Sequence, residues 1–129
     1  MKNLLSILYE EVTKMGIVTN STDKFQKCID ECNRCAQACY ECFKACLDES
    51  DVGARKNCIK ILVECAQMCE MSSGIMSMNG QFAKEHCQLC ATICDKCAQE
   101  CEMFKDDHCQ KCAQECHTCA NECRNMANM

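Results

Sequence analysis

Proline and tryptophan are missing from this 129-residue chain, and glycine occurs only four times. Nothing in that composition opposes long helices, and Gly53 and Gly74, inside a predicted helix, impose only a modest penalty. Ordinary core formers are scarce as well. Leu, Ile, Val and Phe together make 21 residues, a shortage that on its own would point to disorder. No basic cluster offsets the net charge of −5, which argues against a nucleic-acid partner. No apolar run is long enough to cross a bilayer, and the one at Met1–Glu11 is too short for a signal peptide. The expectation is a cytosolic protein whose thiols stay reduced.

In place of hydrocarbon the chain has 19 cysteines and 9 methionines. Cys28, Cys32, Cys35, Cys39, Cys42 and Cys46 follow one another in alternating steps of four and three. On an α-helix that spacing puts every thiol on one a/d stripe facing a partner helix. Three more stretches repeat the pattern: Cys58, Leu62, Cys65, Cys69, Ser72, Met76; then Ala83, Cys87, Cys90, Cys94, Cys97, Cys101, Phe104; then Cys109, Cys112, Cys116, Cys119, Cys123, Met126. Free cysteine packs like a small hydrophobe, so these seams supply the missing core. A local unit, Cys-Ala-x-x-Cys, recurs six times, beginning at Cys35, Cys65, Cys90, Cys97, Cys112 and Cys119. Its alanine falls at an e position and lets helices approach closely.

The predicted fold is all-α: an antiparallel up-down-up-down four-helix bundle with a short extra N-terminal helix. Residues 1–22 hold that helix, amphipathic through Leu5, Leu8, Val12 and Met15, and a linker from Gly16 to Thr22. Residues 23–129 form the bundle, with helices from Asp23 to Leu47, Val52 to Met78, Gln81 to Phe104, and Asp107 onward. Asp23 with Gln26, and Asp107 with Gln110, have the spacing of capping boxes. Alternating helices gather Phe25, Met76, Phe82 and Met126 at one end, and Cys46, Cys58, Phe104, His108 and Cys109 at the other.

A disulfide framework fits poorly, because the count is odd, the compartment is reducing and i,i+4 Cβ atoms stand too far apart. Inert filling fits poorly too, since each thiol buries less hydrocarbon than Leu and is open to oxidation. Metal remains. Eight i,i+4 pairs (Cys28/Cys32, Cys35/Cys39, Cys42/Cys46, Cys65/Cys69, Cys90/Cys94, Cys97/Cys101, Cys112/Cys116, Cys119/Cys123) can each bridge one soft ion, and Cys58, Cys87 and Cys109 can add ligands across helices. Zn(II) wants closed groups of four, and no such grouping is evident in a continuous seam. Iron–sulfur runs ending in Cys-Pro are absent. Cu(I), which accepts few soft ligands, suits the pattern best, with a Zn(II) buffer or an iron–sulfur protein as the alternatives. No Ser/His/Asp set points to an enzyme.

These seams and the Cys-Ala-x-x-Cys units resemble the cytosolic copper storage proteins, from about Asp23 to Met126. The resemblance implies storage of many Cu(I) ions by all 19 cysteines, with no catalysis, and a homo-oligomer, a tetramer of bundles. A copper chaperone is a candidate partner. His108, beside Cys109 at the start of the last helix, is a candidate accessory ligand where copper enters, and the helix N-terminus is expected to favour the Cys109 thiolate. His117 reads as a surface residue, Met76 and Met126 as core, and His86 is undecided.

Overall fold

The computed structural model describes residues 3–13 and 15–129, residues 9–13 by their backbone only. Among the described residues five α-helices follow in order: α1 (Leu4–Thr13), α2 (Gln26–Leu47), α3 (Lys56–Ser77), α4 (Ala83–Glu102) and α5 (Asp107–Ala127). No strand occurs among the described residues. Short 3-10 turns, Asp23–Phe25 and Val52–Arg55, lead into α2 and α3. These take up residues that the periodicity assigns to the long helices.

Each long helix packs on the next, and α5 closes the square against α2. Sulfur contacts fix the directions. Cys28, near the start of α2, meets Cys123 near the end of α5, and Cys46 at the end of α2 meets Cys109 at the start of α5. Cys58 near the start of α3 likewise meets Cys101 at the end of α4. The bundle is therefore antiparallel, as the short connections require.

All 19 cysteines are buried and unbridged. The six alanines of the repeated unit (Ala36, Ala66, Ala91, Ala98, Ala113, Ala120) are buried as well. Among the described residues, Leu62 and Met76 are the largest side chains fully withdrawn from water. Asn79, in the left-handed region at φ 51°, ends α3, and Gly80 N–H donates to the Ile75 carbonyl at 2.9 Å. This is the turn expected where a helix must stop without proline.

Neither predicted capping box forms. Asp23 Oδ1 instead accepts from the Gly16 N–H at 2.6 Å, while the Gln26 amide donates to Asp30. At α5 the Gln110 amide donates backward to the Phe104 carbonyl, and Asp107 pairs with Lys111. In both cases a nearer partner captures the side chain. Phe82, gathered by the sequence reading at one end of the bundle, is 59% exposed. On α1 and the segment after it, Leu4, Leu5, Leu8, Met15, Ile17 and Val18 are all exposed; the Val12 side chain lies outside the described residues.

Candidate metal centre

The four seams bring their sulfurs into one continuous column. Neighbouring helices place Cys28 and Cys32 both 3.7 Å from Cys123, Cys65 at 3.7 Å from Cys94, and Cys35 at 3.8 Å from Cys116. Diagonal contacts cross the middle: Cys39 to Cys97 and Cys69 to Cys119, each 4.0 Å. No hydrocarbon separates opposite helices there. Three of the eight i,i+4 pairs, Cys42/Cys46, Cys90/Cys94 and Cys119/Cys123, stand at 3.9 Å. The pairs between adjacent helices, at 3.7 to 3.8 Å, are closer still, so the column is built between helices as much as along them.

With metal–sulfur bonds of about 2.3 Å, sulfurs around one ion stand about 3.8 Å apart in a tetrahedron and about 4.0 Å apart in a triangle. The separations here match both. Sharing separates the cases. Cys32, Cys90, Cys119 and Cys123 form one group with metal-binding spacing, and Cys35, Cys69, Cys94 and Cys119 another. A third joins Cys35, Cys39, Cys65 and Cys116, and a fourth Cys42, Cys101 and Cys112. Cys119 and Cys35 each belong to two groups. Isolated four-ligand sites each keep their own ligands; a thiolate shared by two groups can bridge adjacent soft ions, and a row of such bridges suits low-coordinate Cu(I).

His108 joins this array. Its Nδ1 lies 3.6 Å from Cys42 Sγ and 3.5 Å from Cys109 Sγ, forming a fifth group with Cys46, while Nε2 meets Glu49 at 3.0 Å. The ring is 27% exposed, so one nitrogen faces the sulfurs and the other the outside. His117 is half-exposed and pairs with Glu102. Met76 Sδ lies 3.6 Å from Cys87 Sγ, at the opposite end of the column. His86 stays outside the array, its Nδ1 buried without a hydrogen-bond partner.

Sequence reasoning missed Arg55. Only 4% exposed, its guanidinium donates to Cys109 Sγ at 3.5 Å and Cys46 Sγ at 3.7 Å. Asp51 at 2.6 Å and Asp106 at 2.5 Å neutralise it, and the Phe104 ring lies 4.4 Å away. Arg55 is therefore a lid over the His108 end of the column. The i,i+4 pair Asp51–Arg55 was the signal available in the sequence.

The protonation of the column follows from burial. Burial pushes the Cys109 thiol up to about 12, with Cys46 adding to the effect, a shift opposite in direction to the lowering expected at the α5 N-terminus. Cys69 and Cys116 are pushed up by their thiol neighbours, first Cys119 and Cys112, and by burial, whereas Cys35 and Cys112 are pushed down by theirs, first Cys116 and Cys101. Each thiol's hold on its proton therefore depends on the protonation of its neighbours, and the protons come off in successive steps. Outside the column, burial and the neighbouring Glu31 raise Glu115 to about 7.

Fold and site define a helical bundle whose interior is a thiol lattice for soft metal ions. Residues 21–128 match the model of the copper storage protein family, and the chain belongs to that family. It is 44% identical over 76 residues to the cysteine-rich protein YhjQ of Bacillus subtilis (strain 168), covering 59% of this chain and 70% of that one. The Cu(I)-bound copper storage protein BsCsp3 superposes with a TM-score of 0.77 at 44% identity, over 80% of this chain and 97% of that one. The copper storage protein Ccsp from Streptomyces lividans, loaded with 10 copper equivalents, gives 0.78 at 34% identity, over 81% and 83%.

Proposed function

We propose that the protein stores many Cu(I) ions in its thiol column and performs no catalysis. The observation that carries this reading is the sharing of Cys35 and Cys119 between adjacent sulfur groups, which suits bridged Cu(I) rather than isolated Zn(II) sites. All 19 cysteines are the proposed ligands, with His108 as an accessory nitrogen ligand at one end. Capacity is on the order of half to one ion per cysteine, according to how far thiolates bridge. Residues 23–129 are the binding unit. Unbridged thiols in this number require a reducing compartment, which supports a cytosolic location. The exposed apolar side chains of Leu4, Leu5, Leu8, Met15, Ile17 and Val18 support a homo-oligomer, tetrameric by family likeness, and sedimentation analysis tests it. A copper chaperone is the proposed donor.

Loading exchanges thiol protons for metal, so binding must release protons and stabilise the fold. An anaerobic titration of the reduced protein with Cu(I), against a coloured Cu(I) chelator and with Zn(II) in parallel, tests the reading. Many equivalents taken up before the chelator colours are expected. Saturation after a few ions, or a preference for Zn(II), overturns it.

A further inference from the structure

Both ends of the sulfur column are closed. Arg55 covers Cys46 and Cys109 at one end, and buried Met76 and Phe25 close the other. Of the 19 thiols only Cys42, Cys58 and Cys112 show any exposure, 1%, 1% and 2% respectively. Two of those three, Cys42 on α2 and Cys112 on α5, line one cavity of about 480 Å³ between these helices. His108 lines the same cavity, its Nδ1 3.6 Å from Cys42 Sγ. The small side chains Ala38 and Ala45 form part of its wall. Charges of both signs surround it: Arg34 paired with Glu115 and Lys111 with Asp107, all but Glu115 largely on the solvent side, with Glu41 beside them.

From these features we infer that copper reaches the column sideways, through the α2–α5 groove, delivered as a Cu(I) complex of a small zwitterionic thiol and handed by His108 to Cys42 and Cys112. The inference rests on the copper-binding reading above. The groove offers what such a complex needs: space for a short peptide thiol, cations that can turn to its carboxylates, an acid for its ammonium group, and a partly exposed imidazole 3.6 Å from Cys42 Sγ. The exchange is redox-neutral. Two Cu–S bonds to the carrier break and two to Cys42 and Cys112 form, and the protons of these two thiols pass to the departing carrier thiolates. The ion then moves inward by the same exchange, through Cys101, which is grouped with both.

Limited alkylation of the reduced apo-protein with iodoacetamide, followed by peptide mass spectrometry, tests the route without a variant and without copper. Cys42 and Cys112 are expected to react first. Earlier reaction at Cys46, Cys58 or Cys109, or no order at all, overturns the proposal. Stopped-flow loading from the Cu(I)–glutathione complex gives the second arm. Ala38→Leu, which fills the groove, is expected to slow loading about tenfold at unchanged final capacity, whereas Phe25→Ala, which opens the far end of the column, stays within about twofold of wild type. A wild-type rate in Ala38→Leu, or a severalfold gain in Phe25→Ala, refutes the sideways route. Wild type that takes up no copper would instead refute the storage reading, and the alkylation order would still stand or fall by itself.

Discussion

Leu62 is the one break in the early half of the α3 seam, four residues after Cys58 and three before Cys65, and it is wholly buried. Replacing it tests whether that position is a ligand site filled with hydrocarbon. Leu62→Cys removes roughly two methylene equivalents of apolar burial and leaves a small void, a loss of about 2 kcal/mol for the apo-bundle. In a chain of this size that lowers Tm by about 8 °C. The added sulfur faces the column, so the variant is expected to hold about half to one more Cu(I) than wild type. Native mass spectrometry of the loaded proteins resolves single copper ions, and circular dichroism melts of apo and loaded forms give the stability. Leu62→Ala serves as control, with the apo-form weakened by about 3 kcal/mol and no gain in capacity. The reasoning is refuted if Leu62→Cys folds, melts lower as apo-protein and still binds no more copper than wild type.

Four further outcomes are expected. Saturating Cu(I) raises Tm by more than about 15 °C, since one site filled at a thousand times its Kd already contributes about 4 kcal/mol; an unchanged melt contradicts storage in the core. Arg55→Ala leaves Asp106 near two thiols without its cation and destabilises the apo-protein by about 2–3 kcal/mol, toward the lower end for buried pairs because Asp51 and Asp106 are partly wet; urea denaturation reads this. Glu115 binds its proton more tightly folded (about 7) than in its ordinary state at 4.5. Its stabilisation is therefore full below pH about 4.5 and lost as pH rises through about 7. Over that window the Tm of wild type falls relative to Glu115→Gln, and parallel profiles would show that the carboxyl is not held protonated. His108→Ala slows the first phase of Cu(I) uptake severalfold in stopped-flow absorbance with little change in capacity; unchanged kinetics removes its role as accessory ligand.

The seams were legible because a heptad states its inward face whatever residue fills it. Cysteine at 4-3 spacing gave helix number and all 19 core thiols, and the short connections gave helix direction. The helix starts were less legible. Asp23 and Asp107 have capping-box spacing, but Gly16 and Lys111 offer closer partners, and local spacing says nothing of such competition. Phe82 has the hydrophobicity of a core residue, yet it precedes α4 at a position where the chain is turning, and it ends up in solvent. Arg55 was hidden for a different reason. A charge at the start of a helix usually belongs to the surface, and only the three-dimensional meeting of Asp51, Asp106, Phe104 and two thiols makes burial tolerable.

Replacing Leu by Cys along four seams trades apolar burial for metal affinity, and the fold shows how a stable apo-bundle survives the exchange. The six buried alanines draw the helices together, so the sulfurs meet at 3.7–4.0 Å and lose little dispersion contact to empty space. The same close approach sets the spacing at which adjacent ions can share thiolates. Packing of the empty protein and capacity of the loaded one therefore depend on one distance. Enlarging a single alanine of the repeat, as in Ala91→Val, is expected to lower both together: apo Tm by about 4–8 °C through overpacking, and copper capacity by at least one ion as the Cys90–Cys94 region spreads. If capacity stays at the wild-type value while the apo melt drops, the lattice tolerates wider sulfur spacing, and packing and binding are set independently.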